Sequence, residues 1–382
     1  MIELCINKHN FNLSEHKSQV FGAPYVRPNM LIKYLDRYQV PYSTVDLDNA
    51  GHDSWYVVNI YFFDFHCDYF TYFKDKVLDK IRKKQLRVLF CYSEPDELKD
   101  IAERLEKLCS QHNIDRQSVF FLSGNSSANY IDGFGYLQEH ELLYGEQNQN
   151  IAALACHLTN KEKKYTCLSR THKLFRAEFI FNLDDQNLID DAYVSYGNVD
   201  NLDPADNEYS ILEAIPDKIL KMVPNGWASQ FMSRSDDLNT DQHNDHSISV
   251  TPHHTNSYWN VVLETFLDCS DHGVFFSEKT FKPIKYGQAF IILGCPYSLE
   301  LLRDQGYKTF STWVDETYDS IVDVRERWLA VYDLVSTIAR TPCDRLHQIY
   351  QSMLPAIHHN QQHFRRNKAD LIARALVKIS QS

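Results

Sequence analysis

Short apolar runs alternate with amphipathic helical stripes along both halves of the chain, and short connections join them. Met1 to Ile6 reads as a strand, Pro28 to Tyr38 has helical spacing through Met30, Leu31, Tyr34 and Leu35, and Tyr42 to Leu47 is again strand-like. Trp55 to Phe63 is a continuous β-branched and aromatic run, the pattern of a strand buried on both faces. Phe70, Phe73, Val77, Leu78 and Ile81 fall on one stripe and predict a single helix over Tyr69 to Gln85, leading into a strand at Leu86 to Cys91. Glu97 to His112 and Ser118 to Leu122 repeat the pair. Such alternation specifies an α/β fold on doubly wound parallel sheets. The polar stretch Ser123 to Asn129 then lies at a strand's carboxyl end, where it is either a ligand-binding loop or an ordinary turn.

The series restarts with a strand at Tyr165 to Leu168, a helix over Thr171 to Leu183 and a strand at Ala192 to Tyr196. Residues 198 to 256 are rich in Asn, Asp, Ser and His and read as a long irregular insertion. Signals resume at Tyr258 to Leu267, Lys279 to Tyr286, Ala289 to Leu293, Tyr297 to Gln305 and Val324 to Ala339, and Cys343 to Ile379 is helical and charged. At about 100–200 residues per domain, a length of 382 residues fits two similar halves with a cleft between them, a single large barrel being the other solution. The polar stretch from Gly145 to Lys164 marks the crossing, so the expected domains are 1–155, 156–345 and a helical tail over 346–382.

Several chemistries find no support. There are 12 Gly, no G-x-G-x-x-G and no Walker lysine, which argues against nicotinamide and P-loop sites. Nine scattered Cys without a C-x-x-C pair argue against a disulfide framework or a structural zinc site. Asp46-Leu47-Asp48 has the form of a metal–diphosphate motif without its context, and His243, His246, His253 and His254 sit in a polar stretch with no helix to align them, so no metal is expected. The start lacks a basic n-region and an apolar h-region, and no stretch approaches the roughly 20 apolar residues of a membrane span; a cytoplasmic protein is expected. A net charge of −12 disfavours nucleic acid as partner, although Arg82-Lys83-Lys84 and Arg365-Arg366 are local basic patches.

The most informative block is Phe275-Phe276-Ser277-Glu278-Lys279-Thr280-Phe281-Lys282-Pro283-Ile284. Ser277 suits an N-cap and Glu278 a first-turn carboxylate, so a helix should begin here with its N–H groups exposed to attract phosphate. Lys279 adds a point charge for a diphosphate, and Glu278 can accept from two ribose hydroxyls. A capped helix with a surface ion pair would have the same residues.

With Gly287 and the run Phe290 to Gly294, this block resembles the donor-binding signature of nucleotide-sugar glycosyltransferases with two Rossmann-like domains facing across a cleft, the GT-B-like type. It looks closest to a group common in bacteria, phages and large viruses, related in its Glu-Lys element to the α1,3-fucosyltransferases. Val262-Leu263-Glu264-Thr265, Gly306 to Phe310, Asp315 to Asp319 and Cys167 to Arg176 also fit, and the resemblance covers roughly residues 165 to 320. It implies an enzyme moving a sugar from a nucleoside-diphosphate sugar to an acceptor hydroxyl on a glycan or small molecule, with no tightly bound cofactor. Glu278 would hold the ribose and Lys279 the diphosphate, with Thr280 and Glu264 in the same donor motif. Arg170 would add a phosphate contact and Arg176 is a further candidate; many members have Asn and a second Arg where this chain has Ser169 and Thr171. Fixed cations of this kind can replace a metal in stabilising the leaving diphosphate.

An inverting reaction needs a base from the amino-terminal half within hydrogen-bond reach of the acceptor. Glu94, after the strand ending near Cys91, and Asp64, after the Trp55 to Phe63 run, are the candidates; either could simply cap the next helix. A phage-type DNA glycosyltransferase acting on a hydroxymethylated base, and a non-catalytic nucleotide- or glycan-binding protein of the same fold, are the alternative functions.

Overall fold

The computed structural model describes residues 2–5, 30–60, 65–92, 97–138, 141–142, 160–169, 173–196, 211, 220–221, 223–224, 227, 231, 251–268, 273–366 and 368–381. The chain forms two compact units, Met1–Leu142 with Cys269–Phe275 and Asn367–Ser382, and Leu143–Asp268 with Phe276–Arg366. Each holds its own all-parallel sheet.

The first unit runs β1 (Ile2–Cys5), α1 (Met30–Arg37), β2 (Tyr42–Val45), β3 (Ser54–Ile60), α2 (Asp75–Arg82), β4 (Arg87–Tyr92), α3 (Leu98–Gln111), β5 (Val119–Ser123) and β6 (Phe134–Tyr136), in sheet order β2-β1-β3-β4-β5-β6. Successive strand residues point to opposite faces, and the core divides accordingly. Tyr56, Val58, Val88, Phe90, Val119 and Phe121 meet α2 and α3 on one face. Trp55, Leu89, Phe120 and Leu122 meet α1 on the other, together with Ile372, Leu376 and Ile379 of the last helix of the chain. Helices on both faces account for the nearly continuous apolar strands.

The single helix expected over Tyr69 to Gln85 is instead a 3₁₀ turn, Tyr69–Tyr72, and the separate α2. Phe73 and Lys74 are extended between them (ψ 142° and 147°), which lets Phe70 and Phe73 both enter the core edge-on to each other at 5.5 Å. Burial of two rings overrode continuous helical periodicity.

The second unit runs β7 (Lys163–Ser169), α4 (Leu174–Asp185), β8 (Ala192–Tyr196), α5 (Thr251–Thr255), β9 (Ser257–Leu263), α6 (Glu278–Tyr286), β10 (Ala289–Leu293), α7 (Ser298–Asp304), α8 (Val324–Arg340) and α9 (Cys343–Phe364), in sheet order β10-β9-β7-β8. Phe175 to Leu183 of α4 are buried without interruption, so this helix is enclosed on all sides. Phe179 packs edge-on to Trp328 and Tyr332 of α8, and Phe281 of α6 stacks on Phe364 of α9.

The chain's last helix, α10 (Ala369–Gln381), belongs to the first unit rather than to a separate tail. A Cβ on Gly135 of β6 would come within 2.9 Å of Ile379 Cγ2 and 3.1 Å of the Ala375 carbonyl, so glycine is what lets α10 reach the strand backbone. Ahead of it Lys368 donates to Glu141 at 2.6 Å, both side chains buried. Among the described residues no helix is long and apolar enough to cross a membrane.

Candidate functional site

In the second unit the strand order reverses between β7 and β9, since β8 lies beyond one and β10 beyond the other. Open α/β sheets bind ligands outside the carboxyl ends of the strands at such a switch point. Those ends are Ser169 and Leu263, and the helices that leave them are α4 and α6.

Glu264, the residue after β9, is 1% exposed and turns its carboxylate onto the start of α6. Its Oε1 accepts from the Ser277 N–H (3.2 Å) and Thr280 Oγ1 (2.7 Å). Its Oε2 accepts from Ser277 Oγ (2.6 Å) and the Thr265 N–H (3.1 Å). Ser277 is the N-cap expected from the sequence, its Oγ accepting from the Lys279 N–H at 3.3 Å. A carboxylate of the chain itself thus lies beside the start of α6, where the helix dipole favours an anion, and the Lys279 N–H is taken by Ser277 Oγ instead of standing open. Burying Glu264 without those four donors would be costly.

Lys279 and Glu278 emerge from this cap. Lys279 Nζ lies 3.2 Å from Ser277 Oγ, 3.3 Å from Thr265 Oγ1 and 3.2 Å from Glu278 Oε1. The side chains of Lys279 and Glu278 are 22% and 12% exposed, so a cation and a carboxylate stand at the start of α6 with their conformations restricted. Thr280 is fully buried beneath them. At its far end α6 closes on Gly287, left-handed at φ 69°, with the Gln288 N–H on the Pro283 carbonyl and the Gly287 N–H on the Ile284 carbonyl.

Arg176, in the first turn of α4, is also only 1% exposed. Its Nη2 donates to the Glu264 carbonyl at 2.6 Å, so the guanidinium ties the start of α4 to the chain leaving β9. The neighbouring Cys167 thiol is pushed up to about 12 by burial, with the charge of Arg176 pulling the other way. Ser169 at the end of β7 is fully buried, and its Oγ has no hydrogen-bond partner among the described residues. Lys173 places its ammonium 5.4 Å from the centre of the Phe266 ring.

Two further groups shape this edge of the sheet. Buried Arg327 of α8 donates from Nε to the Gly294 carbonyl (3.0 Å), from Nη1 to the Val322 carbonyl (3.0 Å) and also to the carbonyls of Ile321 and Leu267. Asp319 accepts from the Leu299 and Glu300 N–H groups at 2.8 and 3.0 Å and so caps α7 from a distant part of the chain. Burial pushes its carboxyl above the ordinary range, partly offset by those donors. Sequence reasoning missed Arg327 as a clamp, although an arginine on the same stripe as Val331 and Val335 was the signal. Arg176, Glu264, Glu278, Lys279 and Thr280 are brought together, while Arg170, Glu94 and Asp64 lie outside the described residues. Positions 64 and 94 follow the adjacent paired strands β3 and β4.

Other sequence candidates have structural partners. Asp48 pairs with Lys76; Arg82 binds Asp79 (3.4 Å) and the His112 carbonyl (2.8 Å); Lys84 pairs with Asp115. His254 is buried against Tyr286, with Nδ1 3.1 Å from Gln288 Oε1 and 3.0 Å from Asn260 Nδ2; burial lowers it to about 3. His243 and His246 lie outside the described residues. The Ser123 to Asn129 stretch is held by Gly273 to Phe275 of the same unit, with the Ser126 N–H on the Val274 carbonyl (3.0 Å) and the Val274 N–H on Ser126 Oγ (2.8 Å). Comparison of the chain with protein-family models, with curated proteins and with solved structures finds no match.

Proposed function

We propose that the protein is a nucleotide-sugar-dependent glycosyltransferase whose second unit binds the donor. The observation that carries this reading is the pairing of Glu278 and Lys279 at the carboxyl edge of a parallel sheet, beside its switch point. The carboxylate suits two vicinal ribose hydroxyls, and the ammonium suits a phosphate oxygen. Both are held before any ligand arrives, which reduces the ordering cost of binding. Arg170 would add a second cation near the diphosphate. In the reaction an acceptor hydroxyl attacks the anomeric carbon, the bond to the diphosphate breaks, and Lys279 stabilises the charge left on the departing oxygen. The first unit would present the acceptor, with Glu94 or Asp64 taking its proton if the reaction inverts. The reading places this chemistry in the cytoplasm.

The partners of Arg82 and Lys84 favour a glycan or small-molecule acceptor over DNA, since Asp79 and Asp115 offset the basic run. Titration calorimetry with a panel of nucleoside diphosphates tests the donor site. One of them should bind, and Lys279→Ala and Glu278→Ala should each weaken it by about tenfold or more. Unchanged affinity in both variants removes the donor-site assignment. Turnover of the matching nucleotide sugar then separates a transferase from a binding protein of the same fold.

A further inference from the structure

We infer that Glu264 is a positioning residue for the phosphate-binding lysine, and not itself a ligand contact; this rests on the donor-site reading above. The four donors around its carboxylate all come from the chain: the Thr265 N–H, the Ser277 N–H, Ser277 Oγ and Thr280 Oγ1. Carboxylate oxygens saturated in this way, on a residue 1% exposed, have no geometry left for a ribose or a phosphate.

The connection to Lys279 runs through two of those partners. Of the three acceptors around Lys279 Nζ, Ser277 Oγ and Thr265 Oγ1 belong to residues that Glu264 holds, one by its hydroxyl and the other by its backbone N–H. The direction of the Ser277 hydroxyl is decisive. Donating to Glu264 Oε2 at 2.6 Å, it turns its lone pairs toward the Lys279 N–H and Nζ. A neutral amide at 264 can accept at only one of the two oxygen positions, and with its N–H toward Ser277 Oγ the Ser277 proton would rotate toward the ammonium, where it opposes the cation. Glu264 thus supplies the charge that makes Ser277 an acceptor and keeps the ammonium of Lys279 in place to meet the phosphate.

The Glu264→Gln variant keeps the volume and removes the charge. Its affinity for the nucleoside diphosphate that binds the wild type should fall about tenfold, while its affinity for the corresponding nucleoside stays within about twofold. In a Lys279→Ala background the same substitution should cause no further loss, because the pathway it serves is gone. Thermal melts and near-ultraviolet circular dichroism of each variant check that the fold is retained. Glu264→Asp, which keeps the charge, should recover part of the diphosphate affinity, whereas a purely steric role would leave it no better than Gln. If Glu264→Gln weakens binding equally with and without Lys279, or weakens nucleoside and diphosphate alike, the positioning role is overturned. If the wild type binds no nucleoside diphosphate, the donor-site reading itself fails, which is a separate outcome.

Discussion

Several buried polar side chains of the second unit have specific partners, and burial sets how individual residues respond to pH. His254 shows this most directly. It is enclosed between Tyr286, Asn260 and Gln288, and burial lowers it from 6.5 to about 3. Above pH 6.5 it is neutral in both folded and unfolded chains. Below 6.5 the unfolded chain takes up a proton that the folded one refuses, so stability is lost as pH falls from 6.5 toward 3. The loss is about 1.4 kcal/mol per pH unit. Urea midpoints of wild type and His254→Gln between pH 4.5 and 7.5 should converge as the pH falls; curves that stay parallel would show that this histidine does not titrate differently on folding.

At the scale of elements, α6 illustrates how one segment is fixed at both ends. Ser277 and Glu264 satisfy its start, and the left-handed Gly287 with its two reverse-turn hydrogen bonds closes its end directly before β10. Any side chain at 287 meets the steric limit of positive φ, so Gly287→Ala should cost about 1 kcal/mol and lower the melting temperature by a few degrees. A melting temperature equal to wild type would mean that the turn relaxes without penalty. The start was legible in Ser277-Glu278, because an N-cap is local chemistry. That Glu264, thirteen positions before Ser277, would reach the helix start was not, since no local rule says which distant carboxylate a fold will bring there. The Tyr69 to Gln85 stretch failed for a related reason: periodicity reports a stripe, whereas the break at Phe73 and Lys74 is set by how two rings fit beneath a strand.

On the scale of the whole molecule, the first unit is completed by the end of the chain. Ile372, Leu376 and Ile379 share a cluster with Leu4, Leu31 and Trp55, and the buried Lys368–Glu141 pair lies at the entry to α10. The second unit has its own core. Deletion of residues 367–382 should therefore lower the unfolding temperature of the first unit by many degrees, exposing the part of one sheet face that α10 covers and removing Lys368 from the buried Glu141. Scanning calorimetry, with hydrogen exchange to assign each transition, should find the second unit's transition within a few degrees of its position in the full chain. A uniform shift of both would show that the two cores unfold as one.

By itself the sequence determined the α/β class, much of the alternation of strands and helices and the helix start at Ser277, because side-chain periodicity and capping act over a few residues, but it did not announce β6 or α5. Only the tertiary structure decided that α10 serves the first unit, that Glu264 closes the start of α6, and that Arg176 and Arg327 hold backbone carbonyls. The longer-range of these contacts join residues from 13 to more than 200 positions apart. Such pairings follow from burial: a charge taken out of water must find a partner wherever the packed chain supplies one.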